Sequence, residues 1–520
     1  MDMEKDLQPV IDQANQALRL AESGQIEAGI DQLQAIISKH PNMIGARHNL
    51  GGLLNRVGRS EEACAVLREA LQRQPDFAEA WNNYGLALFH LTRTGAAEQA
   101  FARAVEIKPD YHEAHSNRCL MPLYRSGTDA VAAQALEDWR RSCAAAISDC
   151  ELKSADAAPR GSLKIGLVSP DFRVHSVAYF LFPILQHWSK QAGVELFLYS
   201  DVPQPDHMTE KFQALPLHYT AVQQLSHPEL AAKIRADGIN VLFELCGHFS
   251  YNRLPVFAAR AAPCQIAWLG YPAPTGTPNI DFRISDAVVA PPQAPPPGDD
   301  QAELLRLESG YHCYAPPPEA PPIAAAPVST GAPFTFGCFN NAFKISPEIA
   351  RVWGTLLQQN PATRLLLKAK SFANPSVRQQ ILTWIHPEPG VQERVSFRAR
   401  DASLREHLAA YNEVDLALDT YPYNGTTTTC EALWMGVPCL TLTGQVPQSR
   451  VGASLLQQAQ LKHFVTTSSE QYIQLATLFA TAPERLKSYR SALRSHLSQT
   501  ALIDPAPIAD ELLARLVRTH

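Results

Sequence analysis

The chain is 520 residues long, with 45 basic and 51 acidic side chains and a net charge of −6. Such a length holds roughly two to four domains with sizeable cores, and the charge balance gives no electrostatic reason to expect a nucleic-acid partner. The polar start MDMEKDLQ is no signal peptide, no apolar run reaches membrane-spanning length, and ten scattered cysteines without a C-x-x-C pair suit reduced thiols, so a soluble cytoplasmic protein with no membrane partner is expected.

Pro41, Pro75 and Pro109 recur at a step of 34 residues, as do Ala46, Ala80 and Ala114, and Asn49, Asn83 and Asn117. Gly51 and Gly85 keep the step once, and Gly24 and Gly58 share a register at the turn between paired helices. This period, with small residues at helix crossings and Pro closing each unit, predicts an α-helical tetratricopeptide solenoid over residues 1–128, with roughly three full repeats and part of a fourth. The asparagine column, extended backwards by Asn15, has a functional reading. An amide both donates and accepts, so Asn15, Asn49, Asn83 and Asn117 could hold an extended acceptor peptide by its backbone. The plain alternative is Asn tolerated on a polar face. Residues 129–162 are expected to be a helical connector.

From Leu163 the texture changes to alternating strands and helices. LKIGLVS (Leu163 to Ser169), VELFLYS (Val194 to Ser200), INVLFEL (Ile239 to Leu245) and CQIAWLG (Cys264 to Gly270) read as strands, with helices over Val177 to Trp188 and Pro228 to Ala236. Pro291 to Pro333, rich in Pro and Ala, reads as an extended connection. A second set begins at FTFGCFN (Phe334 to Asn340), and Ser346-Pro347-Glu348 marks a helix start. TRLLLKA, RVSF, DLAL and PCLTL supply its further strands. The expected boundaries are 163–328 and 329–520, two Rossmann-like, doubly wound α/β domains with ligands at the carboxyl ends of their strands.

The candidate chemistry lies in the loops after those strands. His175, past the first strand, could orient an acceptor hydroxyl or take its proton, against the plain reading of a structural loop histidine. Asn341 and Lys344 lie in the matching loop of the second half, where an ammonium could neutralise a departing diphosphate; a surface lysine is the alternative. His407, on a helix before the DLAL strand, is either an exposed histidine or a stacking partner for a base. Asp415 to Gly436 is the densest stretch. Gly425, Thr426, Thr427 and Thr428 lead into a helix whose free N–H groups and dipole suit a diphosphate, with Glu431 one turn on for the hydroxyls of a ribose. Ordinary threonine capping is the alternative. Asp237 and His248 are weaker candidates, the latter for lining the cleft. No metal-ligand spacing occurs, so no metal or other cofactor is expected beyond a nucleotide-sugar donor.

SPDFRVHSVAYF (Ser169 to Phe180), APCQIAWLGYPAPTGTPNIDFRISD (Ala262 to Asp286), FGCFNNAFKISP (Phe336 to Pro347), DLALDTYPYNGTTTTCEALWMGVPCLTL (Asp415 to Leu442) and SRVGASLL (Ser449 to Leu456) together resemble the protein O-GlcNAc transferase family, most closely its SPINDLY-type branch. The resemblance implies a GT-B-type, inverting, metal-independent glycosyltransferase acting on Ser or Thr hydroxyls of proteins. It makes His175 the active-site histidine, Lys344 the diphosphate ligand and His407 the base-stacking residue. Thr426, Thr427 and Thr428 match the phosphate turn, Glu431 the ribose ligand, and the asparagine column the peptide ladder. Asn240 stands where animal members carry a second active-site histidine. UDP-GlcNAc is the expected donor. GDP-fucose, used by some SPINDLY-type members, is the alternative, as are an asparagine or small-glycan acceptor and a non-catalytic scaffold.

Overall fold

The structure is a computed structural model describing residues 2–126, 130–147, 161–293 and 302–518. It divides into two compact units, Met1–Met121 and Pro122–His520.

The first unit is built from paired helices: α1 (Asp2–Glu22) with α2 (Ile26–Lys39), α3 (Ile44–Val57) with α4 (Ser60–Arg73), α5 (Ala78–His90) with α6 (Thr94–Ile107), then α7 (His112–Leu120). The repeating small residues sit where helices touch. Ala46, Ala80 and Ala114 are fully buried. A Cβ on Gly51 would lie 2.4 Å from Leu67 Cγ, and one on Gly85 would lie 2.5 Å from the Phe101 ring. Only a hydrogen side chain lets these pairs approach so closely.

Gly24 and Gly58 hold the turn inside their pairs at φ +91° and +84°, and the next step of the register is Thr92 at φ +62°. A β-branched residue there is strained by roughly 1–3 kcal/mol. Thr92→Gly is therefore expected to stabilise the protein by about 1 kcal/mol, measured as a higher urea midpoint. A lower midpoint would mean that the bond Thr92 Oγ1 donates to the Leu91 carbonyl, 2.6 Å, outweighs the strain.

The second unit opens with α8 (Ala130–Ile147), anchored by a fully buried Trp139 whose Nε1 donates to Thr277 Oγ1 at 3.0 Å. Of the predicted connector, residues 129 and 148–160 lie outside the described residues, as do 127 and 128 at the end of the predicted solenoid. Two sheets follow. Strands β1 (Leu163–Ser169), β2 (Val194–Ser200), β3 (His218–Ala221), β4 (Val241–Glu244), β5 (Cys264–Ala267), β6 (Phe282–Asp286) and β7 (Glu303–Leu307) form an all-parallel sheet in the order β3-β2-β1-β4-β5-β6-β7. Strands β8 (Thr335–Cys338), β9 (Arg364–Lys368), β10 (Val395–Arg398), β11 (Leu416–Leu418), β12 (Cys439–Leu442) and β13 (Val465–Thr466) form another, in the order β10-β9-β8-β11-β12-β13. Ile165, Leu167, Leu365, Leu367 and Leu416 are fully buried, which is why these strands read as continuous apolar runs. In both sheets the strand order reverses beside the first strand, β1 or β8, and such switch points open a crevice at the carboxyl edge. The helix α9 (Ser176–Trp188) leaves β1 there.

Two expectations need correction. The proline-rich stretch is not wholly an extended connection, because β7 lies inside it and pairs with β6 from Phe282↔Glu303 to Asp286↔Leu307; residues 294–301 lie outside the described residues. The leucines of ELLRL are screened by prolines on either side, which hide a five-residue strand from pattern reading. The last helix, Ala506–Arg518, does not stay with the second sheet. It packs on α9, where Trp188 Nε1 donates to the Ala509 carbonyl at 2.9 Å and His187 meets Asp510 at 2.7 Å. Ile508, Leu512 and Leu516, all buried, form the apolar stripe that requires this partner.

Candidate active site

A cavity of about 530 Å³ opens between the carboxyl ends of the two sheets. Its lining includes His175, Asn341, Lys344, His407, Thr426, Thr427, Thr428 and Glu431, so residues more than 250 positions apart in the chain meet in one place. Gly425 lies just behind the lining. A Cβ there would fall 2.6 Å from Thr428 Oγ1 and 2.9 Å from Asn340, so the turn closes only around glycine.

The turn is organised by Asp419, a residue the sequence reading passed over. This fully buried carboxylate accepts from the backbone N–H groups of Thr420 (2.8 Å) and Gly425 (2.6 Å) and from Thr441 Oγ1 (3.0 Å). Burial pushes its pKa up to about 7, against those hydrogen bonds and the nearby Lys344. Lys344 Nζ donates to the Asn424 carbonyl at 3.0 Å and stands 3.7 Å from the centre of the Tyr423 ring. Burial pushes its pKa down to about 8. Asn340, also missed, accepts from Thr428 Oγ1 at 2.8 Å and ties the two loops together. Asn341 is exposed and starts the short turn Ala342–Lys344.

The helix Thr427–Trp434 has no side-chain cap, and Thr427 Oγ1 is buried without a partner among the described residues. Uncapped first-turn N–H groups, an orphan hydroxyl and a desolvated ammonium make this corner complementary to a polyanion. Deeper in, His407 Nε2 meets Glu431 Oε2 at 2.9 Å, and Tyr411 donates to the same oxygen at 3.2 Å.

Across the cavity His175 caps α9, accepting from the Val177 N–H at 3.4 Å, with Nδ1 3.3 Å from Asp171 Oδ2. Burial lowers the His175 pKa from its ordinary 6.5, with Asp171 opposing. Burial raises the Asp171 pKa. Glu244, pushed up to about 7 by burial, accepts from the N–H groups of Cys246 and Gly247 and shapes the neighbouring loop.

Three other positions fall elsewhere. His248 does not line the cleft: it is buried between Trp139 and Tyr271, and Nε2 donates to the Thr275 carbonyl at 2.7 Å. Asp237 binds the Tyr199 hydroxyl at 2.7 Å and lies with Asn240 near the amino ends of the strands. Asn240 accepts from the Lys164 N–H at 2.8 Å, stitching β4 to β1 far along the strand from the ligand edge. Of the asparagine column, Asn15 is exposed, Asn49 and Asn83 are half-buried, and Asn117 is buried. Asn83 meets His48 at 2.9 Å, and Asn117 donates to Asn82 Oδ1 at 2.8 Å. The nine cysteines among the described residues are buried, and no described helix is long and apolar enough to cross a membrane.

Comparison with known proteins places this geometry among relatives. A family model described as glycosyl transferase family 41 matches residues 108–296 and 331–512, and a tetratricopeptide repeat model matches 53–112. A tomato (Solanum lycopersicum) protein named probable UDP-N-acetylglucosamine–peptide N-acetylglucosaminyltransferase SPINDLY is 36% identical over 390 residues, covering 74% of this chain and 42% of its own length. The protein of that name from Arabidopsis thaliana is 38% identical over 340 residues, covering 65% of this chain and 37% of its own. The chain thus spans about two fifths of the length of these relatives. A solved structure of a mutant Thermobaculum terrenum O-GlcNAc transferase superposes with a TM-score of 0.89 at 31% identity, covering 98% of this chain and 96% of that one.

Proposed function

The chain belongs to glycosyl transferase family 41, and on that premise we propose that it transfers N-acetylglucosamine from UDP-N-acetylglucosamine to Ser and Thr hydroxyls of proteins, with inversion and without a metal. The observation that carries the reading is one cavity wall, where Lys344, the orphan Thr427 hydroxyl and an uncapped helix start stand together. These groups take the diphosphate, and their charge and dipoles do the work otherwise assigned to a divalent cation. His407 stacks on the base, and Glu431 receives the ribose hydroxyls.

On the facing wall His175 orients the acceptor hydroxyl. Its oxygen attacks the anomeric carbon from the side opposite the diphosphate. The new C–O bond forms, the hydroxyl proton passes to a phosphate oxygen of the donor, and the bond between the anomeric carbon and the phosphate oxygen breaks with its electron pair leaving on UDP. The asparagine column of the repeats holds the acceptor chain by its backbone, with the pairs at His48 and Asn82 opening as the peptide binds. The printed names of the SPINDLY relatives favour UDP-GlcNAc over GDP-fucose.

Incubation with each nucleotide sugar and a protein mixture, followed by mass spectrometry, tests this. N-acetylhexosamine on Ser or Thr oxygen is expected with UDP-GlcNAc, and calorimetry should show UDP bound more tightly than GDP. Fucose transfer from GDP-fucose at an equal or higher rate would reverse the donor assignment. Binding of neither nucleotide would replace the enzyme with a scaffold.

A further inference from the structure

Behind the ribose corner lies a line of charge that the reading above does not use. Lys368, at the carboxyl end of β9, is only 4% exposed. Its ammonium is ion-paired with Asp401 Oδ2 at 2.6 Å, lies 5.2 Å from the centre of the Phe339 ring, and is hydrogen-bonded to His407 Nδ1. Asp401 is held in turn by Arg398 at 2.8 Å. A buried lysine in this setting asks for a reason, since desolvation of a cation is costly.

The reason follows from donor and acceptor chemistry. An ammonium only donates, so Nδ1 of His407 has to present its lone pair, and the ring proton is left on Nε2. That proton faces Glu431 Oε2 at 2.9 Å, the oxygen that Tyr411 also serves. Both protein donors therefore fall on one carboxylate oxygen. Oε1 keeps no protein donor among the described residues, and Glu431 lines the cavity.

We propose that Lys368 is a positioning residue for the ribose of a bound nucleoside diphosphate: it fixes the tautomer of His407, which holds Glu431 by Oε2 and leaves Oε1 to accept from the sugar hydroxyls. This rests on the nucleotide site assigned above. Without the ammonium the ring can place its proton on Nδ1, and the Nε2 lone pair then faces a carboxylate and displaces it. The prediction is specific, because removing Lys368 should harm recognition of the ribose hydroxyls and spare the grip on the phosphates.

Calorimetry of the full chain with UDP and with its 2′,3′-dideoxy analogue measures that difference. The wild type should prefer UDP about tenfold or more, as expected for hydroxyls that pair with a buried carboxylate. In Lys368→Met the preference should shrink to about threefold or less, with affinity for the dideoxy analogue nearly unchanged. Asp401→Asn, which loosens the lysine without removing it, should give an intermediate preference and serves if the first variant fails to fold. Undiminished preference in a folded variant, or equal weakening of both ligands, overturns the inference while leaving the nucleotide site intact. A wild type that binds neither ligand overturns the site and the inference together.

Discussion

Lys344→Ala is expected to slow transfer by about 10²–10³-fold while leaving the fold intact, as removal of one preorganised charge from a developing oxyanion does. The native chain gains little from this ammonium. Its contacts are one carbonyl at 3.0 Å and the face of Tyr423, and burial drives its pKa from 10.5 down to about 8. A group held this way contributes little to the fold, which suits the diphosphate role proposed for it. The pH dependence has a definite sign. Between about pH 8 and 10.5 the unfolded chain binds the proton that the folded lysine has lost, so this group adds stability as pH rises through that window. Binding of a diphosphate runs the other way, since it needs the ammonium, and UDP affinity should fall above about pH 8. Calorimetry with UDP across that range on wild type and Lys344→Ala checks the second statement, because the fall should disappear in the variant, and urea midpoints of the two proteins over the same range check the first. Near-normal transfer by folded Lys344→Ala would remove the residue from the mechanism.

Asp419→Ala should be the more damaging change for stability. It strands the N–H groups of Thr420 and Gly425 and the Thr441 hydroxyl inside the protein. Several buried donors left unpaired cost about 2–4 kcal/mol together. The larger effect is on the turn, because Gly425 N–H is the tether that aims the following threonines at the cavity. Urea denaturation should show the loss of stability, and UDP binding should disappear even where the variant remains folded. If a folded Asp419→Ala binds UDP as the wild type does, the turn holds its shape by other means.

Both effects depend on how the sequence encodes the cavity. Residues 163–169 and 194–200 could be read as strands because each is a seven-residue, mostly apolar run, and the loops after them necessarily gather at one edge of a parallel sheet. That rule alone brings His175, Lys344 and Thr427 together from distant parts of the chain. It works less well for short strands: His218–Ala221 and Val465–Thr466 are too brief to show a period. It also cannot say which side chains stand behind the lining. Lys368 and His407 are 39 residues apart, and neither carries a local signal that they touch. Asp419 is different, being the first polar residue after a buried strand in the stretch already singled out, and that position could have marked it. His248 misled for the opposite reason. It follows a strand end as a ligand-facing residue would, but Trp139, from a helix more than a hundred residues earlier, covers it.

The return of the last helix to α9 also bears on how this protein can be taken apart. The lobe that carries His175 is not one continuous stretch of chain, because its outer layer is completed by residues 506–518. A fragment ending in the proline-rich connector would leave the Trp188 indole without its acceptor and an apolar furrow open to water. Any attempt to study the lobes as separate polypeptides, or to exchange one between relatives, has to move the tail together with the lobe it covers.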